Sequence, residues 1–330
     1  MQGDRSFQDS VAALAARLGF AMRGIERLSG GASQETWLIT ADGPSGARDD
    51  LILRRSPNGQ DKLRETSAGL QAEAMLMRLA GARAVPVPDV LHILEEADAL
   101  GAGFVSRRVM GETIPRKILR DDAFAAARPR LAAQSGTILA GIHSIAVSTL
   151  PPLAHQPPAE RLFALRARYD RIGLRRPICD YGFRWLEAHC PKGQESGLVH
   201  GDFRNGNLIV DADGIAAVLD WELAHIGDQV EDLGWLCVPS WRFGLLDRPA
   251  GGFGTREALL AAYTAAGGAP IDPARLDYWI AFGTLAWGIG CLNFAAEFRA
   301  GDRTVERASI GRRVTETELD LMMLLTGKMA

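Results

Sequence analysis

At 330 residues, with 47% apolar and 23% charged side chains, the chain can bury more than one core and lacks the charge-rich composition of a disordered segment. A net charge of −3 supplies no global attraction to nucleic acid or to an anionic membrane, so neither is expected and the partner sought is a small molecule. The four cysteines, Cys179, Cys190, Cys237 and Cys291, show no CxxC spacing, which points to reduced thiols, a cytoplasmic setting and no zinc site.

The N-terminal stretch carries Asp4, Arg5 and Asp9 before a modest apolar stripe, so no secretory leader is expected. Residues 7–18, FQDSVAALAARL, space Val11, Ala15 and Leu18 on one helical face. Next come strand-like runs around a glycine turn in IERLSGGASQETWLIT, then the short strand LILRRSP, residues 51–57. Residues 62–82 place Leu70, Met75, Leu76 and Leu79 at helical spacing, and residues 85–112 read as turn, strand, acidic turn and strand. From residue 121 the pattern turns helical, with helices expected near 122–147, 159–172, 178–189, 255–266, 273–298 and 304–326. Strand signals in that half are confined to 198–222. The uncharged stretch 278–296 has the length of a membrane span, but Thr284, Asn293 and three glycines favour a buried core helix.

The chemistry concentrates in LVHGDFRNGNLIVDADGIAAVLDWE, residues 198–222. Two apolar runs flank Asp211-Ala212-Asp213-Gly214, a tight-turn signal, so a β-hairpin is expected. Closing that hairpin brings the loop before Leu208 close to Asp220. Phosphoryl transfer from a nucleotide needs such a set: a carboxylate to orient or deprotonate the attacking hydroxyl, and oxygen ligands for Mg²⁺. Asp202, Asn207 with four residues between them and the later Asp220 follow the order and spacing that protein kinases use.

HGDFRNGN at 200–207, VLDWE at 218–222 and GDQVEDLGWL at 227–236 together resemble the aminoglycoside phosphotransferase-like small-molecule kinases, and within them the branch found beside acyl-CoA dehydrogenases. The resemblance covers roughly residues 22–300. It implies an α+β, bilobal protein-kinase-like fold. Residues 1–110 would form a small antiparallel-sheet lobe with one inserted helix and a leading helix, and residues 111–330 a larger, mainly helical lobe. It implies ATP or GTP as donor, Mg²⁺, a small-molecule hydroxyl as acceptor, and a monomer or homodimer. Asp202 is then the base, Asn207 and Asp220 the metal ligands, and Asp232 a structural acid. His200, between a valine and Gly201, is read from its neighbours as orienting the loop by hydrogen bonds, with a direct chemical role as the alternative. Glu222 and Asp228 are left open between supporting the site and serving structure alone.

For the nucleotide, backbone N–H groups of Gly31, Ala32 and Ser33 in SGGASQET could meet phosphates, although a ligand-free hairpin turn has the same local sequence. Arg54 stands where the resembled family usually has lysine; it keeps the charge with a different reach, and Glu73 is its expected partner. The segment FVSRRVMGE, 104–112, with Arg107 and Val109, resembles the hinge whose backbone meets adenine. For the acceptor, Glu222, Trp241, Arg242 and Trp287 are candidates, in segments that also hold Phe243, Arg248, Trp279 and Phe294. Acids are scarce there, which argues against a polycationic aminoglycoside.

Two other readings are open at this point. His200, Asp202, Asp220, Glu222, His225 and Asp228 could ligate one or two ions in a metal-dependent hydrolase, which leaves the glycine turn and the Arg54–Glu73 pair without a task. Arginine at position 54 could instead mark a non-catalytic nucleotide-binding module, against which stands the presence of Asp202, Asn207 and Asp220 together.

Overall fold

The computed structural model describes residues 2–30, 34–61, 67–192 and 196–329. Helix α1 (Gln2–Arg17) leads into β1 (Ala21–Gly30), β2 (Glu35–Asp42) and β3 (Leu51–Ser56); α2 (Leu70–Gly81) follows, then β4 (Val90–Ile93) and β5 (Ala102–Arg107). The strands form one antiparallel sheet in the order β1-β2-β3-β5-β4. Two-residue alternation along β3 sends Leu51 and Leu53 to the face under α1, where they pack with Val11, Leu14, Phe20 and Ile39. The same alternation sends Ile52 and Arg54 to the other face, with Arg54 in register between Thr36 and Phe104.

Helices α3 (Pro115–Arg120), α4 (Arg128–His143), α5 (Pro158–Ile172) and α6 (Pro177–His189) come next. They are followed by β6 (Gly197–Val199), β7 (Leu208–Val210), β8 (Ile215–Val218) and β9 (His225–Gly227). The chain ends with α7 (Val230–Leu236), α8 (Arg256–Ala265), α9 (Pro273–Ala300), α10 (Val305–Gly311) and α11 (Val314–Leu325). The α+β arrangement read from the sequence is the one observed. Proline in the first turn of α3, α4, α5, α6 and α9 sets those starts, because its fixed φ suits the first helical positions.

Several boundaries differ from the sequence reading. The helix expected over 122–147 is α4 alone, preceded by a short turn of 3-10 helix at Asp122–Phe124. The helix expected over 304–326 is two, α10 and α11; at Gly311 a side chain would sit about 3.0 Å from the backbone of Ala295 on α9. The seven residues of α7 are too few to show a period, and β9 lies beyond the expected strand segment, paired with β6. Helix α9 is long and apolar enough to cross a membrane by length and composition, but 67% of its apolar window is buried, against α5, α6, α7, α10 and α11.

The larger apolar core does not stop near residue 110. Leu70, Ala74, Met77 and Ala80 of α2, with Val90 and Phe104 of the sheet, join Ile118, Leu131, Leu208 and Val218 in one cluster. Backbone bonds reinforce the junction: Ala68 N–H to Glu222 C=O at 2.8 Å, Val218 N–H to Pro86 C=O at 2.9 Å, and a reciprocal pair between Glu112 and Val210 at 2.8 and 3.0 Å.

Candidate active site

The β7–β8 hairpin closes as its sequence dictates. Asp211 Oδ1 accepts the N–H groups of Asp213 at 2.8 Å and Gly214 at 3.1 Å, an Asx turn, and Leu208 pairs with Val218. One step further, Leu219 N–H donates to Asn207 C=O at 2.8 Å, which brings Asn207 beside Asp220. The Asn207 amide donates to Asp202 Oδ2 at 2.6 Å and to its backbone carbonyl at 3.0 Å, and its amide oxygen meets no donor among the described residues. Asp202, Asn207 and Asp220, spread over the motif in sequence, thus surround one place.

Asp220 has φ 65° and ψ 65°, a left-handed conformation that costs a side-chain-bearing residue about 1–2 kcal/mol. The kink starts a 3-10 turn at Trp221–Leu223, which buries Trp221 beneath His200, ring centroids 4.6 Å apart. His200 is fully buried, and its Nδ1 accepts the Asp202 N–H at 3.2 Å. Burial holds the imidazole below its ordinary range despite the nearby Asp232, Asp202 and Asp220 charges, in keeping with an acceptor role for Nδ1. The N–H groups of His200 and Gly201 both donate to Asp232, at 2.8 and 2.9 Å, and His143 bonds the same carboxylate at 3.0 Å.

The Asp202 carboxylate collects three donors: Trp235 Nε1 at 2.7 Å and Arg204 Nε at 3.0 Å on Oδ1, and Asn207 on Oδ2. Burial, helped by the Asp220 charge, raises its pKa above the usual aspartate range against the pull of Arg204 and Trp235. That suits a group that must accept a proton.

From the sheet side, Arg54 reaches three carboxylates. Nη1 lies 2.9 Å from Glu73 Oε2, and Nη2 lies 3.3 Å from Asp220 Oδ1 and 4.0 Å from Glu222 Oε2. Burial pushes Glu73 up to about 8, while the Arg54 charge pulls the other way. Arg55, on the opposite face of β3, binds Glu35 at 2.9 Å and lies 4.0 Å over the Phe7 ring.

The oxygens fit a hard divalent cation. Asp220 keeps 34% side-chain exposure, and it and the Asn207 amide oxygen are the donor types Mg²⁺ takes alongside phosphate. The six-residue ion set of the hydrolase reading does not converge. His225 Nδ1 donates to Leu223 C=O at 2.9 Å and its Nε2 lies 3.3 Å from Glu231. Asp228 is held by Arg275 at 2.6 Å, Trp279 Nε1 at 2.6 Å and Val230 N–H at 3.0 Å. No group of three or more His, Cys, Asp or Glu that could hold a metal occurs among the described residues.

Gly31, Ala32 and Ser33 lie outside the described residues. In the segment 104–112 the Arg107 side chain turns outward to Asp49 and Asp89 and over Phe20, and the N–H groups of Arg107 and Arg108 donate to Asp89 C=O at 2.9 Å and Asp50 C=O at 2.8 Å. Val109 is half-buried, and its N–H makes no bond among the described residues.

The acceptor candidates separate. Trp241 and Trp287 lie 4.8 Å apart, Trp235 is 5.3 Å from Trp241, and the Arg204 guanidinium sits 4.7 Å over Trp241. Together they make an aromatic cluster leading from Asp202, with Trp241 buried in it and Trp235 and Trp287 half-buried, and Arg313 lies 5.9 Å over Trp287 at its far end. Arg242 is a correction: it is fully buried and donates to Cys237 C=O at 2.9 Å and Leu246 C=O at 3.3 Å, so it braces its own turn instead of facing an acceptor. Trp279 likewise spends its N–H on Asp228. The sequence reading missed Trp235 and His143; the one available signal for Trp235 was its place three residues after Asp232, on the same helical face.

The sequence profile of the phosphotransferase enzyme family, APH, matches residues 24–279. Acyl-CoA dehydrogenase family member 10 of Mus musculus is 28% identical over 200 residues, 57% of this chain and 18% of that protein. A protein of Arabidopsis thaliana assigned as an acyl-CoA dehydrogenase is 26% identical over 286 residues, 78% of this chain and 34% of its own length. The chain therefore spans about a third or less of these relatives. A crystal structure assigned as an aminoglycoside phosphotransferase of Ralstonia eutropha JMP134 superposes with a TM-score of 0.75 at 18% identity, covering 97% of this chain and 98% of that one. The GDP complex of aminoglycoside 2'-phosphotransferase-IIIa gives a TM-score of 0.64 at 14% identity, covering 96% and 98%. With its sheet, its inserted α2 and its helical region arranged as in these protein-kinase-like neighbours, the chain belongs to the phosphotransferase enzyme family.

Proposed function

We propose that the protein transfers the γ-phosphoryl group of ATP or GTP to a hydroxyl of a small molecule. The observation that carries this reading is the convergence of Asp202, Asn207 and Asp220 through the β7–β8 hairpin, faced by the Arg54–Glu73 pair. Asp202 orients the acceptor hydroxyl and takes its proton, and Arg54 binds phosphate oxygens. Asn207 and Asp220 would hold Mg²⁺, whose charge offsets that of the phosphates. The hinge backbone at Val109, whose N–H is not used by a described neighbour, receives the base. A GDP-bound neighbour of the same fold supports nucleotide use. Arg54 keeps its acid partner, which weakens the reading of a non-catalytic module.

For the acceptor, the cluster of Trp235, Trp241 and Trp287 is rimmed by Arg204 and Arg313. A polycationic sugar needs carboxylates to replace its water shell, whereas this cluster suits an apolar or anionic hydroxyl compound. The test is ADP release stimulated by acceptors from a panel of kanamycin-type sugars, macrolides, choline, homoserine and hydroxyacyl thioesters, with MgATP and MgGTP. Turnover should appear with an apolar or anionic member. Aminoglycoside turnover at kcat/KM of about 10⁴ M⁻¹s⁻¹ or more overturns the acceptor reading, and no stimulation by any hydroxyl compound counts against the reaction itself.

A further inference from the structure

We infer that Trp235 is a positioning residue for Asp202, and that Oδ2 of Asp202 is the oxygen that receives the proton of the acceptor hydroxyl. This rests on the assignment of Asp202 as the base. Each carboxylate oxygen has two lone pairs in its plane. On Oδ1 both are taken, by Trp235 Nε1–H at 2.7 Å and Arg204 Nε–H at 3.0 Å. On Oδ2 one is taken, by the Asn207 amide at 2.6 Å, and one remains. In the transfer, the acceptor oxygen bonds to the γ-phosphorus while its proton passes to Oδ2. The bond from that phosphorus to the β–γ bridging oxygen breaks, its electron pair staying on the nucleoside diphosphate.

Of the two donors on Oδ1, Trp235 is the one built to hold a fixed geometry. The indole N–H can only donate and adds no charge, so it sets the rotamer of the carboxylate without neutralising it. It projects from α7 one turn after Asp232, which grips the backbone N–H groups of His200 and Gly201. One face of α7 therefore holds the loop by its backbone and the base by its side chain. The ring is seated against α9 at Gly283, where a Cβ would lie 2.9 Å from Trp235 Cε3 and 2.7 Å from Val238 Cγ2. On its other side stands Trp241. Arg204, by contrast, is a half-buried side chain on the loop itself.

The experiment measures kcat and KM for ADP release from MgATP at a single pH, with water standing for the acceptor hydroxyl, in four proteins: wild type, Trp235→Phe, Gly283→Ala and Asp202→Asn. Trp235→Phe keeps a ring and loses the N–H. Its kcat should fall at least about tenfold, a hydrogen bond to a charged group being lost, with KM for MgATP unchanged. Gly283→Ala, which pushes the indole without touching the loop, should lower kcat in the same way, and it decides the matter if Trp235→Phe does not fold. A wild-type kcat in the folded variants overturns the inference, provided Asp202→Asn has lost the rate. If Asp202→Asn keeps the rate, it is the assignment of the base that fails.

Discussion

Arg54 joins Glu73 to Asp220: its two terminal nitrogens lie 2.9 Å from one carboxylate and 3.3 Å from the other. A lysine has one ammonium to divide between them, whereas the guanidinium fork serves both at once. The acid from α2 and the acid that ends β8 are thus tied through β3, at the place where phosphates are proposed to bind.

Arg54→Ala should weaken nucleotide binding at least about tenfold, the loss of one charged hydrogen bond or more. Arg54→Lys keeps the charge but releases Asp220, so the Mg²⁺ concentration that half-saturates nucleotide binding should fall. Calorimetric titration of nucleotide at stepped Mg²⁺ reads both. An unchanged Mg²⁺ midpoint in Arg54→Lys shows that arginine and metal do not share Asp220.

Glu73 gives stability a pH dependence. Its folded pKa of about 8 lies above the ordinary 4.5, so between those values the folded chain binds more protons than the unfolded one. The contribution is full below about pH 4.5 and is lost as pH rises through about 8. Melting of the nucleotide-free protein should therefore decline more steeply between pH 5 and 8 than melting of Glu73→Gln. Parallel curves would show that the carboxyl is ionised throughout.

Asp220 carries strain as well as chemistry. Asp220→Gly removes the left-handed penalty of about 1–2 kcal/mol and should melt higher by about 2 °C, yet Mg²⁺ should no longer tighten its nucleotide binding. Asp220→Ala loses the carboxylate and keeps the penalty, so it should melt below the glycine variant. The two variants melting together would mean that neighbouring charges, rather than φ, set the stability at this position.

What the sequence made legible is local. Asp211 and Gly214 announce a turn, the turn fixes the hairpin, and the hairpin puts Asn207 beside Asp220; each step needs only neighbours in the chain. Arg54 and Glu73 were legible because strand alternation and helix spacing each name the inward face. Trp235 was not: its partner Asp202 lies 33 positions away, and an aromatic on a seven-residue helix looks like core. Arg242 was misplaced for the converse reason. Beside Trp241 a charge looks like a binding group, and only the folded turn shows backbone carbonyls enclosing it.

The unbroken apolar cluster from α2 into the helical region has a mechanical consequence. Helix α2 touches β4 and β5 on one side and the turn after Asp220 on the other, so it acts as a dowel shared by both halves, while the small cluster under α1 rides on the outer face alone. A rigid swing of everything before the hinge would strip α2 from Ile118 and its neighbours, at about 25 cal/mol for each Å² of apolar surface exposed. Rocking the sheet over a stationary α2 exposes less, and because Arg54 moves with the sheet while Glu73 stays, widening of the cleft would be felt first as a stretch in the 2.9 Å contact between them.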